Sequence, residues 1–381
     1  MEIRFAKKED KPALMNLWGY CFTDGDAYIR WNFDHRYREE DTLVSVEQGE
    51  ICGMVQLLPG RFWVDGRETE ASFIEGLAVA PHWRSCGVAG RLMQAAYEQM
   101  RLRGHSMSFL IPFSLAFYQK QGYGVCTWTK EVKLEMGSIR HYPAGGKWRI
   151  AQMDDEKTAC AMDFAYRAYC ADKNCYQIRS RREWEFILQD AALSGGNVFL
   201  LERNLECAGY VIYILQDGEF HVNEMCYTDF EAFGAVMDFI RRHGPQAECA
   251  LLRLAEGDPV AREFAGGAVR EFSYAMARVI DAQAVLEACS RHFYGEAVIR
   301  IRDEQCPWNT GVYRVQENEA LLLEGEEAGE LVSMNMETLS ELASGAISVE
   351  EAAYLGKIEG DSRALDGLFR KQSNFMNLMF E

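Results

Sequence analysis

Six residues in the first third of the chain have the types and spacing of an anion site: Arg84-Ser85-Cys86-Gly87-Val88-Ala89. They lie within Ile74–Leu92, IEGLAVAPHWRSCGVAGRL. The apolar run Gly76–Ala80 reads as a buried strand that Pro81 stops. From Ala89 the pattern becomes helical, with Leu92, Met93, Ala96, Tyr97 and Met100 on one face. A strand feeding a glycine-bearing turn at a helix N-terminus points several backbone N–H groups one way, with the positive end of the helix dipole behind them. Gly87 carries no Cβ, so a phosphate can approach the main chain closely. Arg84, just before the turn, is within reach of a phosphate oxygen. The stretch lacks the Lys-Ser/Thr end of a P-loop and the three-glycine spacing of a dinucleotide fold, which excludes the two commonest phosphate loops.

The elements that must position this turn belong to a globular chain of 381 residues, long enough for two or three domains. No run is long and apolar enough to span a bilayer, and the charged start MEIRFAKKEDK is not a signal peptide. Twelve cysteines are scattered without CxxC pairs. That pattern speaks against a zinc site or a disulfide scaffold, and for reduced thiols in a cytoplasm. The net charge of −18 disfavours nucleic acid as a partner and favours a cationic one, although most of the acidity serves solubility.

Along the chain, a strand at Glu2–Phe5 leads into a helix carrying Leu14, Leu17 and Trp18, and a second helix is expected over Tyr28–Tyr37. The aromatics between them are mostly core, with Phe22 and Trp31 the candidates for lining a substrate cleft. Strands at Thr42–Glu47, Ile51–Leu58 and Arg61–Val64 are joined by turns at Gly49 and Asp65-Gly66. After the central stretch come a strand at Ser106–Ile111, a short helix over Phe113–Lys120, and a strand opened by Tyr123-Gly124. A second segment repeats this order more faintly, with strands at Val198–Glu202, Ala208–Leu215 and Glu219–Cys226, a helix at Phe230–Arg242 and a strand at Ala250–Leu254. It lacks the Arg-x-x-Gly-x-Ala turn, so a phosphate site is expected only in the first copy. A third segment opens with a helix and a strand at Ala297–Arg302, and a helix is expected across Asp361–Phe369. The apolar tail NFMNLMFE would be costly to leave in water and is expected to pack in a cleft.

The turn resembles the Arg/Gln-x-x-Gly-x-Gly/Ala signature of the Gcn5-related N-acetyltransferases. With VAPHWRSCGVAGRLM, FYQKQGYG (Phe117–Gly124) and IRDEQCPWNTGVY, the whole chain resembles the enhanced intracellular survival protein family of acetyltransferases. The resemblance implies an α+β / α/β fold class. Two tandem acetyltransferase folds with mixed central sheets flanked by helices, 1–146 binding acetyl-CoA and 147–281 degenerate, would precede a sterol-carrier-like α/β domain, 282–381. It also implies a homo-oligomer that uses acetyl-CoA as co-substrate, while cysteine spacing, charge and hydropathy point to a cytoplasmic protein with no metal, nucleic acid or membrane. The acceptor would be a primary amine of a cationic molecule, aminoglycoside-like or a lysine side chain. Carried over by residue, Leu77, Ala78 and Val79 would hold the pantetheine. Arg84, Ser85, Cys86, Gly87, Val88, Ala89 and Gly90 would hold the pyrophosphate, and Phe113 and Ser114 would border the CoA farther along. Tyr118 would be the general acid, and the free carboxylate of the last residue the general base.

These residue types suit the chemistry. An attacking amine must lose a proton and the departing sulfur must gain one, and a phenol is a plausible donor to a thiolate. Tyr118 could instead be a plain core aromatic. Glu75, just before the pantetheine strand, is a second candidate base or else a satisfied polar residue at a strand end. Many members of the family end in an aromatic residue, whereas here Glu381 follows Phe380. That shifts the terminal carboxylate by roughly 3.5 Å in an extended chain and adds a side-chain carboxylate beside it, so either group of Glu381 could act. Two further readings of the same fold stay open: a lipid- or small-ligand-binding protein, and an inactive scaffold.

Overall fold

A computed structural model describes residues 1–143, 145–152, 156–264, 268–323 and 331–377. In chain order the elements begin with β1 (Glu2–Phe5), α1 (Lys11–Cys21), α2 (Asp26–His35), β2 (Thr42–Glu47), β3 (Glu50–Val64) and β4 (Arg67–Val79). Next come α3 (Val88–Leu102), β5 (Met107–Leu110), α4 (Leu115–Gln119), β6 (Gly124–Glu135), β7 (Lys147–Ile150), α5 (Glu156–Tyr169), β8 (Tyr176–Gln177) and α6 (Arg181–Leu193). The chain continues through β9 (Asn197–Arg203), β10 (Glu206–Gln216), β11 (Glu219–Tyr227), α7 (Phe230–Arg241), β12 (Cys249–Ala255) and β13 (Ala268–Val279). It closes with α8 (Ala282–Cys289), β14 (Ala297–Arg302), β15 (Gly311–Gln316), β16 (Glu319–Leu322), β17 (Leu331–Asn335), α9 (Met336–Ala343) and α10 (Val349–Tyr354).

The chain packs into two compact units. One contains residues 1–126 and 274–372, the other 127–273 and the residues from 373 onward. In the first unit the strands run β1-β2-β3-β4-β5, antiparallel except for the parallel pair β4–β5. The strand on the far side of β5 is not the next in sequence but the end of β13, Met276↔Leu110 to Val279↔Met107. A separate four-stranded sheet, β16-β15-β14-β17, completes this unit. In the second unit β7, β9, β10, β11 and β12 follow one another, with β11–β12 parallel. There, residues Thr129–Glu135 of β6 pair with β12.

Three expectations change. The two strands Ile51–Leu58 and Arg61–Val64 are one strand, β3, running through Pro59. Pro59 lies opposite Ser72 of β4, beyond the last pair with β2, Thr42↔Gln56. The strand before the turn begins nine residues earlier than its apolar run, because Arg67–Ser72 forms the two-faced arm of a hairpin. Its turn residues Asp65 and Gly66 both have positive φ, the geometry a tight two-residue hairpin needs. The helix across Asp361–Phe369 is only a single 3-10 turn at Ser362–Leu365. Gly367, at φ 86°, ends it.

The tail fares as expected where it is described: Asn374 and Met376 are 2% and 3% exposed. Among the described residues no helix is long and apolar enough to cross a membrane.

Candidate functional site

The site begins where the first sheet splits. Parallel pairing of β4 with β5 runs from Ala71↔Met107 to Ile74↔Leu110 and stops there, while β4 continues to Val79 held by β3 alone. Pro112, two residues past β5, has no amide to extend the ladder. A bulge widens the split: the register jumps from Met54↔Ala78 to Gln56↔Glu75, leaving two residues of β4 opposite one of β3. Gly76 in the bulge has φ 62°, and a Cβ there would overlap the ring of Trp18. Trp18 is fixed in turn by its indole N–H on Asp24, 2.7 Å, and by Phe33 edge-on at 5.8 Å. Leu77, Ala78 and Val79 therefore form an open strand edge. The Ala80 amide bonds the Cys52 carbonyl, so by alternation the peptide groups of Val79 face away from β3, into the split.

The turn follows. After the 3-10 turn Pro81–Trp83, Ser85 and Gly87 both take positive φ, 61° and 76°, and α3 starts at Val88 with no side-chain cap. The first intrahelical bond is from the Arg91 amide to the Gly87 carbonyl. The amides of Val88, Ala89 and Gly90 thus have no acceptor inside the helix. Two left-handed residues just ahead of a helix start help turn its amides toward one concave face suited to an anion. A Cβ at Gly87 or Gly90 would meet no protein atom within 4 Å, so the approach is open. Leaving a helix uncapped forgoes about 1 kcal/mol. The fully buried Leu92, Met93, Tyr97 and Met100 are worth about 1.5–3 kcal/mol each, so α3 is held by its core face whatever its start does.

Arg84 does not reach outward as the sequence alone suggests. Its Nε donates to the Val79 carbonyl at 3.2 Å, and its guanidinium lies 5.8 Å from the Tyr20 ring centre. It ties the turn back to the end of the strand.

On the β5 side, Ser114 caps α4 by accepting the Phe117 amide at 3.4 Å. Phe113 is 71% exposed, whereas Tyr118 is 3% exposed, its ring edge-on to Phe113, Phe117 and Tyr123 at 5.0–5.7 Å. Among the described residues no group hydrogen-bonds the Tyr118 hydroxyl. Burial, then the neighbouring Tyr123, raises its pKa well above the usual phenol range. The group is therefore a neutral hydrogen-bond donor at any physiological pH. Behind it, the Tyr123 hydroxyl meets that of Ser108 at 2.9 Å.

Glu75 sits at the mouth of the split, 4% exposed, with its Oε2 3.1 Å from Nη2 of Arg36. Arg36 also reaches the Tyr28 hydroxyl at 3.4 Å. The carboxylate is thus ion-paired, which competes with any role as a base. Phe22 packs on Trp18 at 4.8 Å and Trp31 on Tyr28 at 5.6 Å. Glu381 lies outside the described residues. Sequence reasoning passed over Gly76 as a bulge and Arg36 as the partner of Glu75. It also missed Arg278, whose Nη1 donates to the Gln121 carbonyl three residues beyond Tyr118 and whose one visible signal is a charge inside the apolar run YAMARVI.

The second unit repeats the split without the turn. Pairing of β11 with β12 stops at His221↔Leu251, with a bulge at Asn223. But α7 is capped by Asp229, whose carboxylate accepts the Ala232 amide at 2.8 Å and pairs with Arg203. A carboxylate stands where an incoming phosphate would have to go, and it is held ionised by the Arg203 hydrogen bond.

Comparison with known proteins finds one kind of domain twice and a different one after it. Residues 2–126 and, separately, 175–279 match acetyltransferase (GNAT) domain families, and residues 282–377 match the sterol carrier protein domain. An uncharacterized N-acetyltransferase of Streptomyces coelicolor is 24% identical over 336 residues, 80% of this chain and 76% of its own. The peptidyl-lysine N-acetyltransferase YiaC of Escherichia coli is 28% identical over 148 residues, 35% of this chain and 90% of its own. The crystal structure of Eis1 from Mycobacterium abscessus has the same fold, with a TM-score of 0.81 at 16% identity over 100% of both chains.

Proposed function

We propose that the chain, which matches two GNAT domain families and the sterol carrier protein domain, is an N-acetyltransferase of the enhanced intracellular survival type whose first unit transfers the acetyl group of acetyl-CoA to a primary amine of a cationic acceptor, aminoglycoside-like or a lysine side chain. The observation that carries this reading is the contrast between the two helix starts. The strand split of the first unit opens onto uncapped amides, and that of the second onto Asp229.

Acetyl-CoA supplies an activated thioester. The open edge Leu77–Val79 offers peptide groups to its pantetheine arm, and the amides from Ser85 to Gly90 hold its pyrophosphate. Arg84 braces that turn through Val79. Phe113 and Ser114 border the far end. Tyr118 faces the departing sulfur as general acid. Its raised pKa makes full proton transfer to a thiolate uphill, so it acts first as a donor that stabilises developing charge on sulfur. Glu381, through one of its two carboxylates, accepts the proton of the attacking amine. Glu75 is the less suitable base because Arg36 already engages it.

A cytoplasmic location is carried by the scattered cysteines without CxxC pairs in the sequence. A homo-oligomer is carried by resemblance alone.

The test is a thiol-release assay with acetyl-CoA against polyamines, aminoglycosides and lysine peptides. Turnover with at least one cationic amine is expected. The absence of thiol release above the acceptor-free rate throughout the panel would sink the reading.

A further inference from the structure

The split in the second unit holds a segment of the chain itself. Beyond β12, a Cβ at Gly257 would overlap the Ser373 hydroxyl, so the returning tail passes there with only glycine beneath it. The Asn174 amide donates to the Ser373 carbonyl and the Phe375 amide to the Asn174 carbonyl, both at 2.8 Å, a short parallel bridge. The Asn174 side-chain amide adds a bond to that of Asn374 at 2.9 Å. Phe375 then packs on Tyr166 and Tyr169 of α5. At the other side of the split, the Asn377 side chain donates to the Asn223 carbonyl at 2.9 Å and to Glu224 at 3.0 Å. Counted from the last parallel pair of each split, Ile74 and His221, Glu224 stands where the first unit has Leu77.

Glu224 is held by a fully buried ion pair. Arg179 reaches both its oxygens at 2.7 Å, and Tyr210 donates to Oε1 at 2.6 Å. Neither charged side chain exceeds 1% exposure. Arg179 also donates from Nη2 to the Asn377 carbonyl at 2.7 Å, so both members of the pair bond the tail directly. Withdrawing the tail would leave a buried guanidinium N–H and a buried carboxylate oxygen each short of a partner, which burial makes costly. The pair is therefore complete only with the tail in place.

We propose that the second unit is a receptor for the chain's own C-terminal segment. Its strand split, no longer a cofactor cleft, binds Ser373–Asn377, and Arg179 and Glu224 are positioning residues that fix where the last residues begin. Their effect on turnover rests on the reading of Glu381 as the base, whereas the docking itself does not.

The test uses the full-length chain with Asn377→Asp, which puts a carboxylate against Glu224, and Asn377→Ala, which only removes the donor. Arg179→Met is the stronger lesion but threatens folding, so the tail variants carry the test. Carboxypeptidase trimming followed by mass spectrometry reads docking, and thiol release reads catalysis. Trimming past Asn377 should speed up about tenfold or more in Asn377→Asp, as expected for losing hydrogen bonds to charged groups, and less in Asn377→Ala. The turnover number should fall while KM for acetyl-CoA stays unchanged, a split that general loosening of the fold would not produce. Unchanged trimming in Asn377→Asp overturns the receptor. Faster trimming with full turnover overturns the positioning role. Faster trimming in a protein that acetylates nothing in the panel supports the receptor and removes the acetyltransferase reading instead.

Discussion

Arg278 on β13 grips Asp303 with one guanidinium nitrogen, Nη2, at 2.9 and 2.8 Å from the two carboxylate oxygens, and neither side chain reaches solvent. Its Nη1 donates to the Gln121 carbonyl, and a Cβ on Gly122 would overlap that same nitrogen. The buried pair thus props the turn three residues beyond Tyr118. Removing one partner of a buried pair typically costs about 3–5 kcal/mol, because the other charge is left uncompensated. Asp303→Asn should lower unfolding stability by an amount of that order. Arg278→Leu with Asp303→Leu should recover part of the loss. Urea unfolding of the three proteins checks this, and a single mutant as stable as wild type would show that the pair does not brace the turn.

Acetyl-CoA should bind once per chain. Asp229 occupies the second helix start, and only the first offers open amides. Replacing Gly87 with valine should weaken binding strongly. The positive φ adds about 1–2 kcal/mol of strain, but no protein atom lies within 4 Å of the new Cβ, so the fold should survive. Calorimetry reads both points: two equivalent sites, or unchanged affinity in the variant, would contradict them.

Tyr118→Phe should cut turnover by about 100- to 10,000-fold and leave acetyl-CoA affinity nearly unchanged, since only the hydroxyl is lost. The raised phenol pKa gives a second readout, in alkali. A group whose folded pKa is raised contributes stability that is fully present below its unfolded pKa, near 10, and lost as pH rises toward the folded value. The wild type should therefore lose more stability than Tyr118→Phe does when titrated upward from pH 10. Parallel curves for the two proteins would mean the shift is absent.

Acceptor binding should weaken with salt. The chain carries 58 acidic against 40 basic residues, and attraction of a polycationic amine to such a surface is screened over about 8 Å at physiological ionic strength. KM for an aminoglycoside or lysine peptide should rise between low and high salt while KM for acetyl-CoA changes less. An acidic acceptor used equally well would remove the charge argument.

Three variants of the chain end separate the two carboxylates of Glu381. If the main-chain carboxylate is the base, a short tag fused after Glu381 should abolish most turnover and Glu381→Gln should be mild. If the side chain is the base, the order reverses. Deletion of Glu381 should be tolerated only if Phe380 can offer its own carboxylate. Full activity in all three would return Glu75 to consideration despite Arg36.

What was readable in the sequence was what neighbours in sequence decide. The helical spacing of Leu92, Met93, Ala96, Tyr97 and Met100 announced the core face of α3, and all five are buried. The glycine of the turn announced the left-handed residue that precedes α3, and Gly87 has φ 76°. What was hidden depends on residues far away in the chain. Arg84 points back because the Val79 carbonyl is exposed by a strand split that no local pattern encodes. The strand beside β5 comes from Met276–Val279, and nothing in an apolar run names its partner. Arg278 reads as an anomaly in its strand until Asp303 and Gln121 are brought to it.

The fit of Trp18 over Gly76 also constrains how such a sequence can change. Any side chain at position 76 collides with the indole, and the indole is pinned by Asp24 and Phe33. A single substitution at 76 is therefore closed to the chain while the indole stands; shrinking position 18 removes the collision and leaves the strain of a side chain at φ 62°, about 1–2 kcal/mol. The two positions, 58 residues apart, can drift only in a fixed order, tryptophan first and glycine second. A library randomised at both should return glycine at 76 with aromatic or small residues at 18, fewer small–small pairs, and almost none with a large residue at both.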